Sequence, residues 1–182
     1  MIKKPIKVLY LISNADPYGS NIALLNLLDQ LLQKGVIPVV VMWKYGKICE
    51  ILEKKEIKFY RVKYRYSVYP KYKTSTDIIL FLPLLFRTLW LNLIALSKLK
   101  KIAIDNEIDI IHTNISPLHI GYALSKLLHI PHVWHIREYQ DLYLGYRPLF
   151  TWKRYFRKLN DTNTYPIAIT KGLLEHYDLK AN

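Results

Sequence analysis

The sequence predicts an α/β fold, a three-layer sandwich in which helices cover both faces of a mostly parallel sheet, and three observations carry that prediction. Short β-branched and leucine-rich runs alternate along the 182 residues with longer stretches whose apolar positions recur every third or fourth residue. Clusters of Gly, Pro, Asn, Asp and Ser separate them. The alternation occurs twice, as two βαβαβ halves, and such units require right-handed crossovers and parallel strands.

The first unit organises the rest. Lys7 to Ile12 is short enough to be one buried strand, and it breaks at the turn-forming cluster Ser13, Asn14, Ala15, Asp16, Pro17, Tyr18, Gly19 and Ser20. A helix starts at Asn21, with Ala23, Leu24, Leu27, Leu28, Leu31 and Leu32 on one face. This arrangement aims the free N–H groups and positive dipole end of the helix out of the loop, beside the carboxyl end of the strand, where anions bind well. Gly19 stands alone, and neither a G-x-G-x-x-G nor a P-loop pattern is present, so a plain turn with nothing bound remains the competing interpretation. Gly35 then ends the helix, residues 37–42 (IPVVVM) read as a second strand, 47–55 as a short helix and 57–62 as a third strand.

Residues 59–73, FYRVKYRYSVYPKYK, leave the pattern. Arg61, Lys63, Arg65, Lys71 and Lys73 alternate with Tyr60, Tyr64, Tyr66, Tyr69 and Tyr72, without an acidic residue. Three readings stay open: stacking on single-stranded nucleic acid, contact with lipid headgroups, or a loop whose tyrosines cover the domain edge. The position of the tract inside an α/β layout, without a nucleic-acid-binding motif, counts against nucleic acid as a partner.

Residues 78–96 form the most apolar run, nearly long enough to span a bilayer. Arg87 lies at its centre, with Pro83 and Asn92 nearby, and a mid-membrane arginine costs roughly 2.5–3.5 kcal/mol. The run is therefore expected to be a helix continuing to about Asp105, packed on the sheet by one face, with the remainder either buried under the long loop or offered to a membrane or partner. In the second half, residues 108–113 read as the fourth strand, 117–128 as an amphipathic helix, 131–135 as the fifth strand, 147–159 as a basic helix, 165–169 as the sixth strand, and 170–177 as a last helix capped by Thr170. Two such halves give the order 3-2-1-4-5-6 of a Rossmann-like sheet, whose switch point lies between strands one and four. Asn14 to Ser20, then Thr113, Asn114 and Ser116, meet at that point, with His135, Arg137 and Glu138 following the fifth strand.

Composition sets further bounds. The length suits a single domain, 1–182, with a substantial core, and the 51% apolar content fits a sheet covered on both faces. A net charge of +13 implies an anionic partner: nucleic acid, an anionic membrane surface or phosphorylated small molecules. Cys49 is the only cysteine, which rules out an internal disulfide and a multi-cysteine metal site, and it reads as a small buried apolar residue. Met1 to Pro5 lack a signal-peptide pattern, so the expected compartment is the cytoplasm.

Five segments in order resemble the amino-terminal domain of a family 4 glycosyltransferase of the retaining GT-B class, built from two facing Rossmann-like lobes. They are Tyr18-Gly19-Ser20-Asn21, then Gly35-Val36-Ile37-Pro38 with its strand, then Asp109-Ile110-Ile111-His112-Thr113-Asn114. Next come Ile130-Pro131-His132-Val133-Trp134-His135-Ile136-Arg137-Glu138, the most specific match, and Ile167-Ala168-Ile169-Thr170-Lys171. The chain departs from the family pattern in Ser20, where a second glycine is common, in Ile37 or Pro38, where histidine is, and in Thr170, where serine is. A side chain at residue 20 bears on close approach of a diphosphate.

The resemblance implies one lobe of a GT-B enzyme that transfers a sugar from a nucleotide-sugar donor to a glycan or lipid-linked acceptor, in cell-surface polysaccharide synthesis. The donor would be shared with a carboxyl-terminal domain that the family carries and this sequence does not, either cut at the lobe boundary or separate, leaving the piece alone inert. The alternative is a non-catalytic membrane-anchoring or recruiting subunit of a two-chain transferase. Charge developing on the leaving diphosphate suits the helix start at Gly19, Ser20 and Asn21 without a metal or other cofactor. By the same resemblance His135 lies near donor sugar and acceptor as the candidate catalytic group, while Asp16, Asn114, Arg137 and Glu138 are candidates on the acceptor side. His135 otherwise reads as a satisfied core histidine, His112 and His132 as packed or surface groups, Arg137 and Glu138 as a pair at the rim, and Asn114 as a turn former. A basic face with an apolar helix favours peripheral contact with an anionic membrane, at the inner face of the plasma membrane.

Overall fold

The computed structural model describes residues 4–17, 19–70 and 74–179. Its strands are β1 (Lys7–Ile12), β2 (Ile37–Met42), β3 (Lys58–Arg61), β4 (Ile110–Thr113), β5 (His132–Ile136) and β6 (Thr164–Ala168). Its helices are α1 (Ser20–Gln33), α2 (Ile48–Lys54), α3 (Ser75–Asp105), α4 (Ile120–Leu128), α5 (Trp152–Leu159) and α6 (Lys171–His176). The strands form one all-parallel sheet in the order β3-β2-β1-β4-β5-β6, with Tyr10 opposite Val40 on one side and His112 on the other. This is the Rossmann-like order that the two repeated halves predict, and it fixes the crevice between β1 and β4.

Strand alternation divides the core by face. Leu9, Leu11, Val39, Val41 and Ile111 pack under α3 and α4, through Ala95, Leu99, Ala103 and Leu124. Val8, Tyr10, Ile12, Val40 and Met42 face α1 and α2. A third cluster joins Trp134 and Ile136 to Tyr155 and Leu159 of α5 and to Leu173 and Tyr177. Gly121 lets α4 approach β4, because a Cβ there would stand 2.0 Å from Thr113 Oγ1. The Cys49 sulfur lies 3.5 Å from that of Met42, at the edge of the second cluster and only partly buried.

Several boundaries differ from the sequence reading, each for a local reason. The buried face of α1 is Asn21, Leu24, Leu25 and Leu28, while Ala23 and Leu32 turn to solvent. In LLNLLDQLL leucine pairs occupy adjoining faces, so periodicity alone does not fix the helix rotation. Residues 147–150 precede α5 instead of belonging to it: Tyr69 N–H donates to Arg147 O, Leu149 N–H donates to Ser67 O, and Thr151 caps the helix by accepting from Arg154 N–H. Residues 117–119 likewise precede α4, and the Pro117 carbonyl accepts from Ser67 N–H. Residues 62–70 thus form a strap along the carboxyl edge of the sheet. Tyr64 within it is 2% exposed and its hydroxyl donates to the Ile12 and Val41 carbonyls, so this tyrosine belongs to the core. Tyr18 and the tract residues Lys71, Tyr72 and Lys73 lie outside the described residues.

α3 begins at Ser75 behind a capping box made by Thr74 and Asp77 and carries Pro83 within it. Only Ala95, Leu99 and Ala103 are buried along its 31 residues. The long loop therefore does not bury the apolar run.

Candidate functional site

The loop from β1 to α1 is held from inside by one amide. Asn21, 1% exposed, donates from Nδ2 to the Asn14 and Asp16 carbonyls at 3.2 and 2.8 Å and to Asn14 Oδ1. Its side-chain amide is thus taken up by the loop, which leaves its backbone N–H as the group it can offer at the helix mouth. Gly19 is the N-cap, with φ 47° and ψ −111° and no side-chain cap. A Cβ there would meet nothing within 4 Å, so the demand for glycine comes from the backbone conformation alone. With no side-chain cap, the first N–H groups of α1 have no intrahelical partner.

Asn114, at the end of β4 and 1% exposed, links this mouth to β5. Its Nδ2 donates to the Ser20 carbonyl at 3.0 Å, and its Oδ1 accepts from Arg137 Nε and Nη2 at 3.3 and 3.0 Å. Arg137 Nη2 also lies 3.3 Å from His135 Nδ1. The start of α1 and the ends of β4 and β5 are therefore tied in the sequence Ser20, Asn114, Arg137, His135. Arg137 and Glu138 do not form the rim pair that is the plain alternative for them: Glu138 Oε1 accepts from Ser116 N–H at 3.0 Å, and Arg137 N–H donates to Ser116 Oγ.

This arrangement sets protonation. Burial, with the Arg137 charge beside it, pushes His135 down to about 4, so the ring is neutral near pH 7. A guanidinium can only donate, which makes Nδ1 the acceptor and leaves the proton on Nε2. The residue can therefore present a neutral N–H to a hydroxyl. Burial raises Glu138 to about 7, against the Ser116 backbone and hydroxyl groups and the Arg137 charge, which favour its ionised form. Behind them the rings of Tyr10, His112 and His135 stand side by side across β1, β4 and β5, with centroids 5.0 and 5.5 Å apart. His112 and His132 are both buried, and His132 Nε2 meets Thr113 Oγ1 at 2.8 Å.

A cleft of about 430 Å³ opens beside the mouth, at the carboxyl ends of β1 and β2. Asp16 lines it with Ser13 and Asn14, opposite Trp43, Lys44, Arg65 and Tyr66. The Arg65 guanidinium lies 5.6 Å from the centre of the Trp43 ring. An aromatic face with flanking cations and a carboxylate suits a sugar that carries phosphate or other anionic groups. Sequence reasoning did not single out Trp43 and Lys44. Their signal was their place directly after β2, since ligands gather beyond the carboxyl ends of strands in such sheets. Among the described residues no group of three or more His, Cys, Asp or Glu is placed to hold a metal ion.

No protein-family model matches the chain, and no curated protein matches it. Solved structures do. Anabaena HepE in complex with UDP superposes with a TM-score of 0.64 at 17% identity, over 97% of this chain and 42% of that one. HepE in complex with UDP-glucose gives 0.63 at 15%, over 95% and 40%. A glycosyltransferase from Rickettsia africae gives 0.61 at 16%, over 97% and 41%, and Acinetobacter baumannii MurG gives 0.51 at 16%, over 72% and 35%. The chain thus spans about two-fifths or less of the length of these solved chains. The likeness is one of fold, and the fold is a Rossmann-like lobe of the kind from which GT-B glycosyltransferases are built.

Proposed function

We propose that this chain is the amino-terminal, acceptor-side lobe of a retaining family 4 glycosyltransferase, acting at the cytoplasmic side of the membrane in the synthesis of a cell-surface polysaccharide. The observation that carries the reading is the hydrogen-bonded sequence from Ser20 through Asn114 and Arg137 to His135, which puts an anion-suited helix mouth and a neutral imidazole on one crevice. The donor diphosphate would meet the N–H groups after Gly19, and His135 Nε2–H would orient a hydroxyl of donor or acceptor. Asp16, Lys44 and Arg65 would receive the acceptor, a glycan or lipid-linked saccharide, in the adjoining cleft. A second lobe would hold most of the nucleotide, which HepE, crystallised with UDP and UDP-glucose, supports by likeness of fold. Tyr165, Ile167 and Ile169 are 44–49% exposed along the outer strand and its end, an apolar strip that a further element could cover.

The exposed apolar half of α3 favours one second reading, a recruiting subunit that brings a separate catalytic chain to a membrane. One experiment separates the two. The chain, joined to or mixed with a donor-binding lobe, is incubated with labelled nucleotide sugars and a membrane extract. Transfer that falls at least a hundredfold in His135→Ala and in Gly19→Val supports the enzyme. Transfer by the other lobe alone at an unchanged rate in solution supports the subunit.

A further inference from the structure

α3 is about 46 Å long, whereas a six-residue strand such as β1 runs about 20 Å. Asn92 marks the level of the sheet's carboxyl edge, because its amide exchanges hydrogen bonds with the backbone of Arg65 in the cleft wall. Residues 75–91 overhang that edge. Their inner side is backed by the strap, where Tyr69 stacks on Phe81 at 6.1 Å. The outer side is bare: Ile79, Leu82, Phe86, Trp90 and Leu93 are 54–76% exposed.

At 100° per residue the exposed apolar positions from Ile78 and Leu89 round through Ile94 to Leu80 sweep an arc of roughly 200°. One neighbouring helix covers a narrower strip, whereas a fluid apolar phase covers all of it. α3 is long and apolar enough to cross a bilayer, but Phe81 contacts Tyr69 and Asn92 bonds to Arg65, which favours a run held along the domain. Arg87 is the only charge between residues 78 and 97, and Lys98, Lys100 and Lys101 follow within one turn. Apolar surface gives way to cations as it does from acyl chain to headgroup.

A groove of about 360 Å³ adjoins this face, between α3, α4 and the turn before α5. Leu96, Ala123 and Leu149 line it together with Arg154 and Lys158, and the exposed Leu93 borders it. His119, 4% exposed, lines it with Nε2 lacking a partner among the described residues, and its Nδ1 is 3.5 Å from Lys158 Nζ. Burial and the neighbouring Arg154 lower Lys158 to about 8, so an anion entering here would restore a counter-charge.

We propose that this surface docks on an anionic lipid bilayer, with the outer arc of α3 in the headgroup–acyl boundary and a lipid phosphate in the groove at Arg154 and Lys158. The proposal is independent of glycosyl transfer. Net charge +13 supplies the complementarity, and the apolar arc supplies the depth.

The test is sedimentation of the 182-residue chain with vesicles of phosphatidylcholine alone and with 30% phosphatidylglycerol, at low and high salt. Binding to the anionic vesicles should be at least tenfold tighter and should weaken with salt. Brominated acyl chains should quench tryptophan fluorescence, and most of that quenching should vanish in Trp90→Phe. Phe86→Glu, at a site 67% exposed and so neutral for folding, should abolish binding to both vesicle types. Arg154→Ser and Lys158→Ser should each lower affinity for anionic vesicles about fivefold and leave neutral ones unaffected. Binding unchanged in Phe86→Glu overturns the proposal. So does equal displacement by millimolar inorganic phosphate, which would assign the groove to a free anion. A dimer by sedimentation equilibrium that Phe86→Glu dissolves, without vesicle binding, would assign the face to a second copy.

Discussion

Replacing Asn114 with alanine should destabilise this fold by removing two hydrogen bonds from one buried side chain at once. The side chain is 1% exposed and serves two clients: it donates to the Ser20 carbonyl at 3.0 Å and accepts from Arg137 Nη2 at 3.0 Å. A neutral hydrogen bond contributes about 1 kcal/mol and one to a charged group about 1.5–3 kcal/mol. Arg137 is only half-buried and regains water when its acceptor is lost, which selects the lower end of the second range. The expected loss is about 2–3 kcal/mol, a large share of the roughly 5–15 kcal/mol that stabilises a domain. Urea denaturation followed by circular dichroism measures it, with an unchanged m-value. Arg137→Met in the same cycle should show a coupling of about 1 kcal/mol or more with Asn114→Ala. A loss under about 0.5 kcal/mol, or strictly additive losses, would refute the idea that Asn114 ties the strand ends together.

Further outcomes follow from the same contacts. Gly121→Ala should destabilise by about 1–3 kcal/mol through collision with Thr113 Oγ1, and adding Thr113→Ala should recover part of the loss in thermal melts. Tyr64→Phe leaves the Ile12 and Val41 carbonyls without their donor and should cost about 1–2 kcal/mol by urea titration, an unchanged midpoint counting against it. Burial lowers His112 and His132 to about 3 and His135 to about 4, so between those values and 6.5 the unfolded chain binds more protons and stability falls as pH drops. Glu138, raised to about 7, acts oppositely between about 4.5 and 7, so Glu138→Gln should steepen the loss on acidification, as read from denaturation midpoints at pH 7, 6 and 5.

The strand order and the crevice were legible because they follow from rules that act along the chain: β-branched runs, turn clusters, right-handed crossovers. Ser20, Asn114, Arg137 and His135 are legible for that reason, each lying at or just past the carboxyl end of a strand or at the first residue of the helix that follows. The role of Asn21 was not legible. A polar residue in a first turn reads as a ligand, and only the folded loop reveals that its three acceptors come from Asn14 and Asp16. The start of α5 is not legible because Arg147 to Phe150 directly precede the basic helix, while the strap that claims their backbone comes from about eighty residues earlier. The tyrosine tract keeps three meanings open in sequence, and burial of Tyr64 against two carbonyls gives that one residue a structural role. The extent of the bare face on α3 likewise needed the fold, since hydropathy cannot tell which neighbours a helix will find.

The central claim is that the helix mouth at Gly19 and the end of β5 at His135 border a single nucleotide-sugar crevice. Amide and side-chain NMR shifts of the 182-residue chain titrated with UDP-glucose test it most directly. Shifts concentrated at Ser20, Asn21 and Ile22, together with Asn114 and the His135 ring, are the predicted result. A map centred on α5 or on the outer strand β6, with Ser20 and His135 unmoved at saturation, would contradict it.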